Sequence, residues 1–181
     1  GKVLGLITQN VDRLHQRAGH QRVIDLHGRL DQVICMSCGE LVSRGTLQTW
    51  LDEHNERADP RAFTLAPDGD ADVQRTDFSS VCVPACRLCR GILKPDVVFF
   101  GDSVPKPVVD QAYRWVDAAD AVLVVGSSLM VYSSFRFIRR AVQAGIPVAA
   151  INRGKTRADE LLSVKVEADC GAVLQELAAA V

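Results

Sequence analysis

The sequence lacks the features of a membrane protein and those of a secreted one. None of its apolar stretches, in 181 residues, approaches the ~18 needed to cross a bilayer. Its first residues, GKVL, contain neither the charged n-region nor the small-residue cleavage site of a secretory signal. They also lack an initiator methionine, so we expect the chain to begin inside a longer protein.

Neither sign of charge is in surplus. Lys and Arg total 21 and Asp and Glu total 22, which gives a formal net charge of -1. Without a basic field, the chain is a poor match for nucleic acid or an anionic membrane surface, and we expect neither as a partner. Its length and its 48% hydrophobic content suit one domain with a small inserted module.

Disulfide bonds are not expected either, although the chain contains six cysteines. Nothing indicates secretion, and two C-x-x-C pairs suit a metal better than a disulfide framework. We therefore expect a reducing compartment, the cytoplasm, or the mitochondrial matrix if the source is a eukaryote.

The two pairs, CMSC at residues 35–38 and CRLC at residues 86–89, predict a structural zinc site. Each pair presents two thiolates from one turn of backbone, and two pairs complete a tetrahedron at ~2.3 Å from the ion. Four sulfur ligands leave no position open, so the zinc would do no chemistry. The 47 residues at positions 39–85 exceed the common spacing of ~15–20, and buried free cysteines are the alternative. Cys82 is left out because its spacing to Cys86 is poorer, and Cys170 because it lies far from both pairs in the sequence.

Apolar runs alternate with helical patterns over most of the chain. Runs at residues 3–7, 96–100, 121–125 and 147–151 each end in a polar or glycine-rich turn. Such runs are typical of strands buried on both faces of a parallel sheet. Helical spacing places Val108, Val109, Ala112 and Val116 on one apolar face and Phe135, Ile138 and Val142 on another. The second of these helices should end at Gly145, and a last helix is expected at residues 171–180. The alternation predicts an α/β fold with a doubly wound, Rossmann-like parallel sheet.

The region between the cysteine pairs interrupts this alternation. Residues 52–80 are polar and rich in turn-forming residues. We expect residues 35–89 to form a zinc-binding module of the zinc-ribbon type. It would be inserted into a Rossmann-like domain made of residues 1–34 and 90–181.

Polar residues follow three of the predicted strands, at the end where open α/β sheets bind ligands. These polar residues offer amide, hydroxyl and backbone groups but few cations, and they lie at positions 8–12, 126–128 and 152–154. This set suits ribose and carboxamide groups better than a bare phosphate, although a glycine-serine turn by itself is usually only a turn. His27, in DLHG, is a candidate general base, although such a histidine is more often structural, and His15 offers the same chemistry.

Taken together and in this order, TQNVDRLHQRAG, DLHG, the two C-x-x-C pairs, LKPDVVFFGD, VVGSSL and INRG resemble the sirtuins. Sirtuins are NAD-dependent protein-lysine deacylases. The resemblance spans nearly the whole chain. The segment LAPDGD at residues 65–70 resembles the class II branch of the family.

The resemblance implies NAD as the cofactor and a role for each matching residue. His27 matches the catalytic base. The residues that match the NAD pocket are Gln9, Asn10, Val11, Asp12, Gly126, Ser127, Ser128, Asn152, Arg153, Gly154 and Cys170. Those that match the segment pairing with the substrate peptide are Val97, Val98, Phe99 and Gly101. Those that match the ligands of one structural zinc ion are Cys35, Cys38, Cys86 and Cys89.

The implied reaction moves the acyl group of an acylated protein lysine to ADP-ribose and releases nicotinamide. His27 would help to deprotonate the ribose hydroxyl that attacks the intermediate. The family's core starts with a strand and a GAGxS phosphate loop, and neither is in these residues. Because that loop donates to the pyrophosphate, we expect residues 1–181 alone to bind NAD poorly and to deacylate nothing.

Two other functions fit part of the pattern. Mono-ADP-ribosyl transfer would keep the cofactor and change the acceptor. A non-catalytic zinc-ribbon or scaffold fragment would explain the cysteines but not the polar residues at the strand ends.

Overall fold

A computed structural model describes residues 2–56, 63–65, 71–73 and 78–180, the two short segments by their backbone only. The chain divides into two compact units. The first unit comprises Gly1–Gly28 and Val98–Val181, and the second comprises Arg29–Val97. The domain bounds expected from the sequence stay a prediction. Residues 66–70, which carry most of the class II resemblance, lie outside the described residues.

Strands and helices follow one another along both units. In chain order they are β1 (Leu6–Thr8), α1 (Leu14–Arg17), β2 (Val23–Asp25), β3 (Gly28–Cys35), β4 (Leu41–Ser43), α2 (Arg44–His54), β5 (Phe63–Leu65), β6 (Ala71–Val73), β7 (Leu93–Val97), α3 (Lys106–Asp117), β8 (Val122–Val125), α4 (Tyr132–Gln143), β9 (Val148–Ile151), a 3-10 turn (Asp159–Leu161), β10 (Val164–Val166) and α5 (Cys170–Ala179). None of the described helices is both long and apolar enough to cross a membrane.

Parallel pairing in the first unit confirms the α/β class. β1 pairs with β2 in parallel, and β8, β9 and β10 form a second parallel sheet with β9 in the middle. Parallel neighbours need a crossover, and α4 supplies it between β8 and β9. The sheets are therefore those of a βαβ arrangement, as the sequence predicts.

Helices α3 and α4 pack the apolar core of the first unit. The buried residues that they contribute are Val109, Ala112, Val116, Phe137, Ile138 and Ala141. The buried face of α3 is the one that helical spacing predicts. The buried face of α4 is rotated from the predicted one, because Ala141 is buried and Val142 is 36% exposed. Gly145, with φ 74°, follows the end of α4 as expected.

Two strand predictions differ from the structure. The run predicted at residues 96–100 is a strand only over Leu93–Val97, because the chain then turns through Gly101 with φ 94° and leaves Phe100 fully exposed. The expectation of strands buried on both faces is wrong for β8, where Leu123 is 49% and Val125 38% exposed. Leu123 and Val125 lie on the same face of β8, opposite the buried Val124, so this face of the strand is the open one.

The second unit contains a sheet in the order β4-β3-β7, with β3 and β4 antiparallel, and a helix that the sequence reading missed. Helix α2 begins after Ser43, whose Oγ accepts the Thr46 N–H at 3.0 Å. Leu47 and Trp50 of α2 pack on Val33 of β3. Only these two helix residues are buried, which explains why the helical pattern is weak in the sequence.

Candidate functional site

His27 lies directly after β2, in a fixed position within the first unit. Leu26, 1% exposed, anchors the chain before it, and the Leu26 N–H donates to the Thr8 carbonyl at 2.9 Å. The imidazole Nε2 lies 2.7 Å from Ser133 Oγ. Burial lowers the pKa of His27, and a backbone hydrogen bond with Gln9 opposes that change. The ring is therefore held neutral at neutral pH, as a general base requires.

The loop after β1 is ordered by its own side chains. Thr8 is buried, and its Oγ1 accepts the Asn10 N–H at 3.1 Å. Asp12 Oδ1 accepts the Leu14 N–H at 2.9 Å, where α1 begins. These bonds are local turn and capping contacts that order the loop, and neither of them involves the side-chain amide of Gln9.

A hydrogen bond joins this loop to the turn after β8. Ser127 Oγ donates to Gln9 Oε1 at 2.9 Å. Ser127 Oγ also accepts the Leu129 N–H at 3.2 Å. Gln9 and Ser127 are 118 positions apart in the chain. The structure therefore brings together two of the three polar loops that the sequence singles out.

The ends of β8, β9 and the start of α5 also meet. Gly126, with φ 60°, donates its N–H to the Ile151 carbonyl at 2.9 Å. Cys170, the first residue of α5, donates from Sγ to the same carbonyl at 3.3 Å. A Cβ at Gly126 would lie 3.5 Å from that sulfur, so a side chain there would close the gap between the turn and α5.

The loop after β9 is held by the amide of Asn152. This buried amide donates to the carbonyls of Arg153 and Gly154 at 2.9 and 3.3 Å. The Gly154 N–H donates to Glu167 Oε1 at 2.9 Å. The Asn152 side chain and these backbone groups are therefore engaged in shaping the loop, whereas the Arg153 side chain is exposed and pairs with Asp169 at 3.3 Å.

The expected peptide-pairing segment follows β7, which ends at Val97. The Val98 N–H donates to the His27 carbonyl at 2.9 Å, which ties this segment to the residue after β2. Phe99 and Asp102 then close a turn, in which the Asp102 N–H donates to the Phe99 carbonyl at 2.9 Å.

The four cysteines of the C-x-x-C pairs meet at one point in the second unit. Their sulfur atoms all lie within 4.8 Å of one another, with Cys35 and Cys89 3.5 Å and Cys38 and Cys86 3.8 Å apart. A tetrahedron with bonds of ~2.3 Å has edges of about 3.8 Å, which these separations match. The thiols therefore fit one zinc ion.

The two cysteine turns have the same backbone geometry. Each first cysteine accepts an N–H four residues on, from Gly39 or Arg90, at 2.9 Å. Each also donates to a carbonyl five residues on, at Glu40 or Gly91. The residue that follows the second cysteine of each pair has a left-handed φ, 76° at Gly39 and 64° at Arg90. Two matching turns present their thiols to one centre, which is the arrangement expected of a zinc knuckle pair.

Cys82 lies outside this cluster, as expected. It is exposed, and its N–H donates to Asn55 Oδ1 at 2.7 Å. All six cysteines of the chain are free of disulfide bonds.

Sequence reasoning missed two residues next to the candidate site. Ser133 contacts His27 across 106 positions, and no local pattern points to it. Asp25 pairs with Arg13 and accepts from Gln16 Nε2 at 2.8 Å, which ties α1 to the end of β2. Asp25 is the first residue of the DLHG motif, so its place in that motif is the sequence signal that could have pointed to it.

Comparison with known proteins decides the family. A sequence model described as the Sir2 family matches residues 1–133. The chain belongs to the Sir2 family. The resemblance to the sirtuins is thereby confirmed, and it covers the motifs from the loop after β1 to the start of α4.

Individual relatives agree with this Sir2-family assignment. An NAD-dependent protein deacetylase 2 from Bradyrhizobium diazoefficiens is 59% identical over 169 residues, which are 93% of this chain and 62% of the relative. An NAD-dependent protein deacetylase from Xanthomonas campestris pv. campestris is 56% identical over 174 residues, 96% of this chain and 59% of the relative.

Solved structures of the family have the same fold. A structure described as Sir2-p53 peptide-NAD+ superposes with a TM-score of 0.75 at 27% identity, covering 97% of this chain and 62% of that one. A second, described as Sir2 bound to acetylated peptide, gives a TM-score of 0.76 with the same identity and coverage. This Sir2-family chain thus spans less than two thirds of the length of each of these proteins.

Proposed function

We propose that this Sir2-family protein is an NAD-dependent protein-lysine deacylase. It transfers the acyl group of an acylated lysine in a protein substrate to ADP-ribose, with release of nicotinamide. The observation that carries the proposal is the hydrogen bond from Ser127 Oγ to Gln9 Oε1 at 2.9 Å, which joins two polar loops at the carboxyl ends of parallel strands. His27, whose imidazole is kept neutral by burial, follows β2, the strand that pairs with β1.

His27 is the proposed general base. NAD, when bound, supplies the ribose carbon at which the acyl oxygen is received. His27 accepts a proton from a ribose hydroxyl, and burial keeps its imidazole neutral so that it can do so. A base in this role contributes about 10²–10⁴ in rate.

The polar loops are the proposed cofactor site. The carboxamides, hydroxyls and backbone groups there suit the nicotinamide, the riboses and the adenine more than a bare phosphate. The residues assigned to NAD are Gln9, Asn10, Val11, Asp12, Gly126, Ser127, Ser128, Asn152, Arg153, Gly154 and Cys170. Their support is the Gln9–Ser127 bond and the contact of Gly126 and Cys170 with the Ile151 carbonyl.

The segment after β7 is the proposed binding site for the acylated peptide. Val97, Val98, Phe99 and Gly101 would pair with an extended peptide, so that main-chain hydrogen bonds give affinity. The bond from the Val98 N–H to the His27 carbonyl supports this, because it sets the segment beside the proposed base. Protein substrates with acylated lysine are therefore the proposed partners.

Zinc is the proposed structural ion, held by Cys35, Cys38, Cys86 and Cys89 in a module of residues 35–89. We propose a reducing compartment such as the cytoplasm, because four of the cysteines are arranged as the ligands of one metal ion. Cys86→Ser should lose the bound zinc, and Cys82→Ser should keep it, because the Cys82 thiol lies outside the cluster. Metal content by atomic emission distinguishes the two variants, and equal zinc in both would contradict the assignment.

The deacylase proposal is tested with the intact protein, NAD and a panel of acyl-peptides, with products identified by mass. His27→Ala should lower turnover by about 10²–10⁴ and leave NAD binding unchanged, and His15→Ala serves as the matched control. Unchanged deacylation by His27→Ala would remove His27 from the mechanism.

Mono-ADP-ribosyl transfer is the second candidate, since it uses the same cofactor site. Nicotinamide release measured with and without acylated peptide separates the two activities. Release that does not depend on the acylated peptide would favour this second reaction.

A further inference from the structure

We propose that Arg157 is a positioning residue for the cofactor, because it holds the turn after β8 (residues 126–131) in the shape that presents Ser127. The inference rests on the proposed function, in which this turn contacts NAD. Arg157 lies just after the INRG motif, and none of the motifs read from the sequence includes it.

The turn after β8 contains a residue in a strained conformation. Leu129 has φ 56°, in the left-handed region that residues other than glycine rarely adopt, and its side chain is 4% exposed. Its N–H donates to Ser127 Oγ, which in turn donates to Gln9 Oε1. Such a conformation persists only where its surroundings determine it. Relaxation at Leu129 would therefore move the Ser127 hydroxyl away from Gln9.

Arg157 binds the backbone on both sides of the strained residue. Its N–H donates to the Ser128 carbonyl at 2.8 Å, and its side-chain Nη1 donates to the Met130 carbonyl at 3.0 Å. These carbonyls belong to the residues immediately before and after Leu129. The bond from the guanidinium is charge-assisted, and such bonds are stronger than those between neutral groups. Arg157 thus supplies the constraint that the conformation of Leu129 requires.

Two aromatic rings hold the guanidinium in place. Its Cζ lies 4.6 Å from the ring centroid of Phe135 and 5.9 Å from that of Tyr132. A cation is attracted to the face of an aromatic ring within ~6 Å of the centroid. Both rings belong to the first turn of α4, and Phe135 packs against the core of the unit. The Arg157 side chain therefore links the turn after β8 to the helix that follows it.

The backbone of Arg157 is itself anchored. Its two neighbours, Thr156 and Ala158, are 7% and 0% exposed. Thr156 Oγ1 donates to Asp159 Oδ1 at 2.6 Å and accepts the Ala158 N–H at 3.1 Å. Because its own chain segment is fixed by these contacts, Arg157 can determine the shape of the turn.

The experiment uses three single variants of the intact protein. Arg157→Met keeps much of the side-chain length and removes the charge and the donor, whereas Arg157→Lys keeps a charge and a donor. Both variants keep the backbone bond to Ser128. Arg114→Met is the matched control, because it makes the same change on α3, where Arg114 Nη2 donates to Gln111 Oε1 at 2.6 Å.

The first readout is hydrogen exchange of the Leu129 amide, measured by NMR without NAD. In Arg157→Met this amide should exchange about tenfold faster than in the wild type, which is the order of one hydrogen bond to a charged group. Arg157→Lys should recover part of the protection, and Arg114→Met should match the wild type.

The second readout is the binding and turnover of NAD. Calorimetry of Arg157→Met should show a Kd for NAD about tenfold higher, with a matching rise in KM. The kcat at saturating NAD should stay near that of the wild type, because the Leu26 N–H anchors the chain before His27 on the Thr8 carbonyl. In a Ser127→Ala background, Arg157→Met should have a smaller effect on Kd, since the two residues act through one contact.

The outcomes separate this inference from the proposed function. Wild-type exchange at Leu129, or wild-type affinity for NAD, in Arg157→Met would overturn the role of Arg157 and leave the proposed function standing. Effects of Arg157→Met and Ser127→Ala that multiply would also overturn it, as would no recovery in Arg157→Lys or an equal loss in Arg114→Met. Failure of the wild type to bind NAD would overturn the proposed cofactor site, and this inference with it.

Discussion

A methyl group at Gly91 should disturb the zinc site by steric overlap alone. A Cβ at this position would lie 2.4 Å from Ser37 Oγ, 2.7 Å from Ser37 Cβ and 2.9 Å from Cys35 Sγ. The φ angle of Gly91 is outside the left-handed region, so the backbone itself tolerates alanine. Gly91→Ala is therefore a test of how closely the two cysteine turns approach each other.

The expected cost follows from these distances. Contacts below 3.0 Å do not persist, so Ser37 or the chain at position 91 must move, and overpacking of this kind costs about 1–3 kcal/mol. Gly91 accepts the Cys86 N–H, and Ser37 donates its N–H to Cys35 Sγ at 3.4 Å. Movement at either residue thus displaces a zinc ligand. The zinc affinity should fall about five- to 150-fold, which is the same free energy expressed as binding.

Chelator competition measures the zinc affinity, and denaturant titration measures the free energy of unfolding of the zinc-bound protein. Gly45→Ala is the control, because its Cβ would meet nothing closer than Ser43 Oγ at 3.9 Å. Adding Ser37→Gly to Gly91→Ala should restore part of the affinity, since two of the three closest contacts involve the Ser37 side chain. Wild-type affinity in Gly91→Ala, or no recovery in the double variant, would refute the steric reasoning.

Three further predictions concern the first unit. Leu26→Ala should lower the free energy of unfolding by about 2–5 kcal/mol in denaturant titration, because Leu26 is 1% exposed; a loss below 1 kcal/mol would contradict this. Hydrogen bonds from the Thr156 side chain, then from Lys165, lower the pKa of Asp159 from 3.8 to about 2, so its stabilisation is present above pH 3.8 and is lost as the pH falls through about 2. Asp159→Asn should therefore flatten the acid limb of thermal unfolding measured against pH, and an unchanged limb would count against it. Gly126→Ala should cost about 1–2 kcal/mol because its φ is 60°, and should weaken NAD binding in calorimetry of the intact protein; equal affinity would separate this turn from the cofactor site.

Several features of this protein depend on local spacing and can be predicted from its residues without a structure. Two cysteines at a spacing of three fold into one turn, and two such turns predict a four-thiolate site that the structure brings within 4.8 Å. The period of apolar residues predicts α3 and its buried face, and the order of the motifs predicts the family. The cysteine turns and the helical period follow from the residues of short segments, and the family follows from the order of such segments, so no tertiary contact has to be known.

Which segments meet could not be predicted from spacing, because it depends on how the chain folds. Gln9 finds Ser127 across 118 positions and His27 finds Ser133 across 106, because strand order and helix docking, not spacing, set those neighbours. The same holds for the buried face of α4, where Ala141 is covered and Val142 exposed. A helical period gives the width of an apolar face, but only the surface against which the helix packs fixes its rotation. The partners of the proposed base were therefore visible only after the chain had folded.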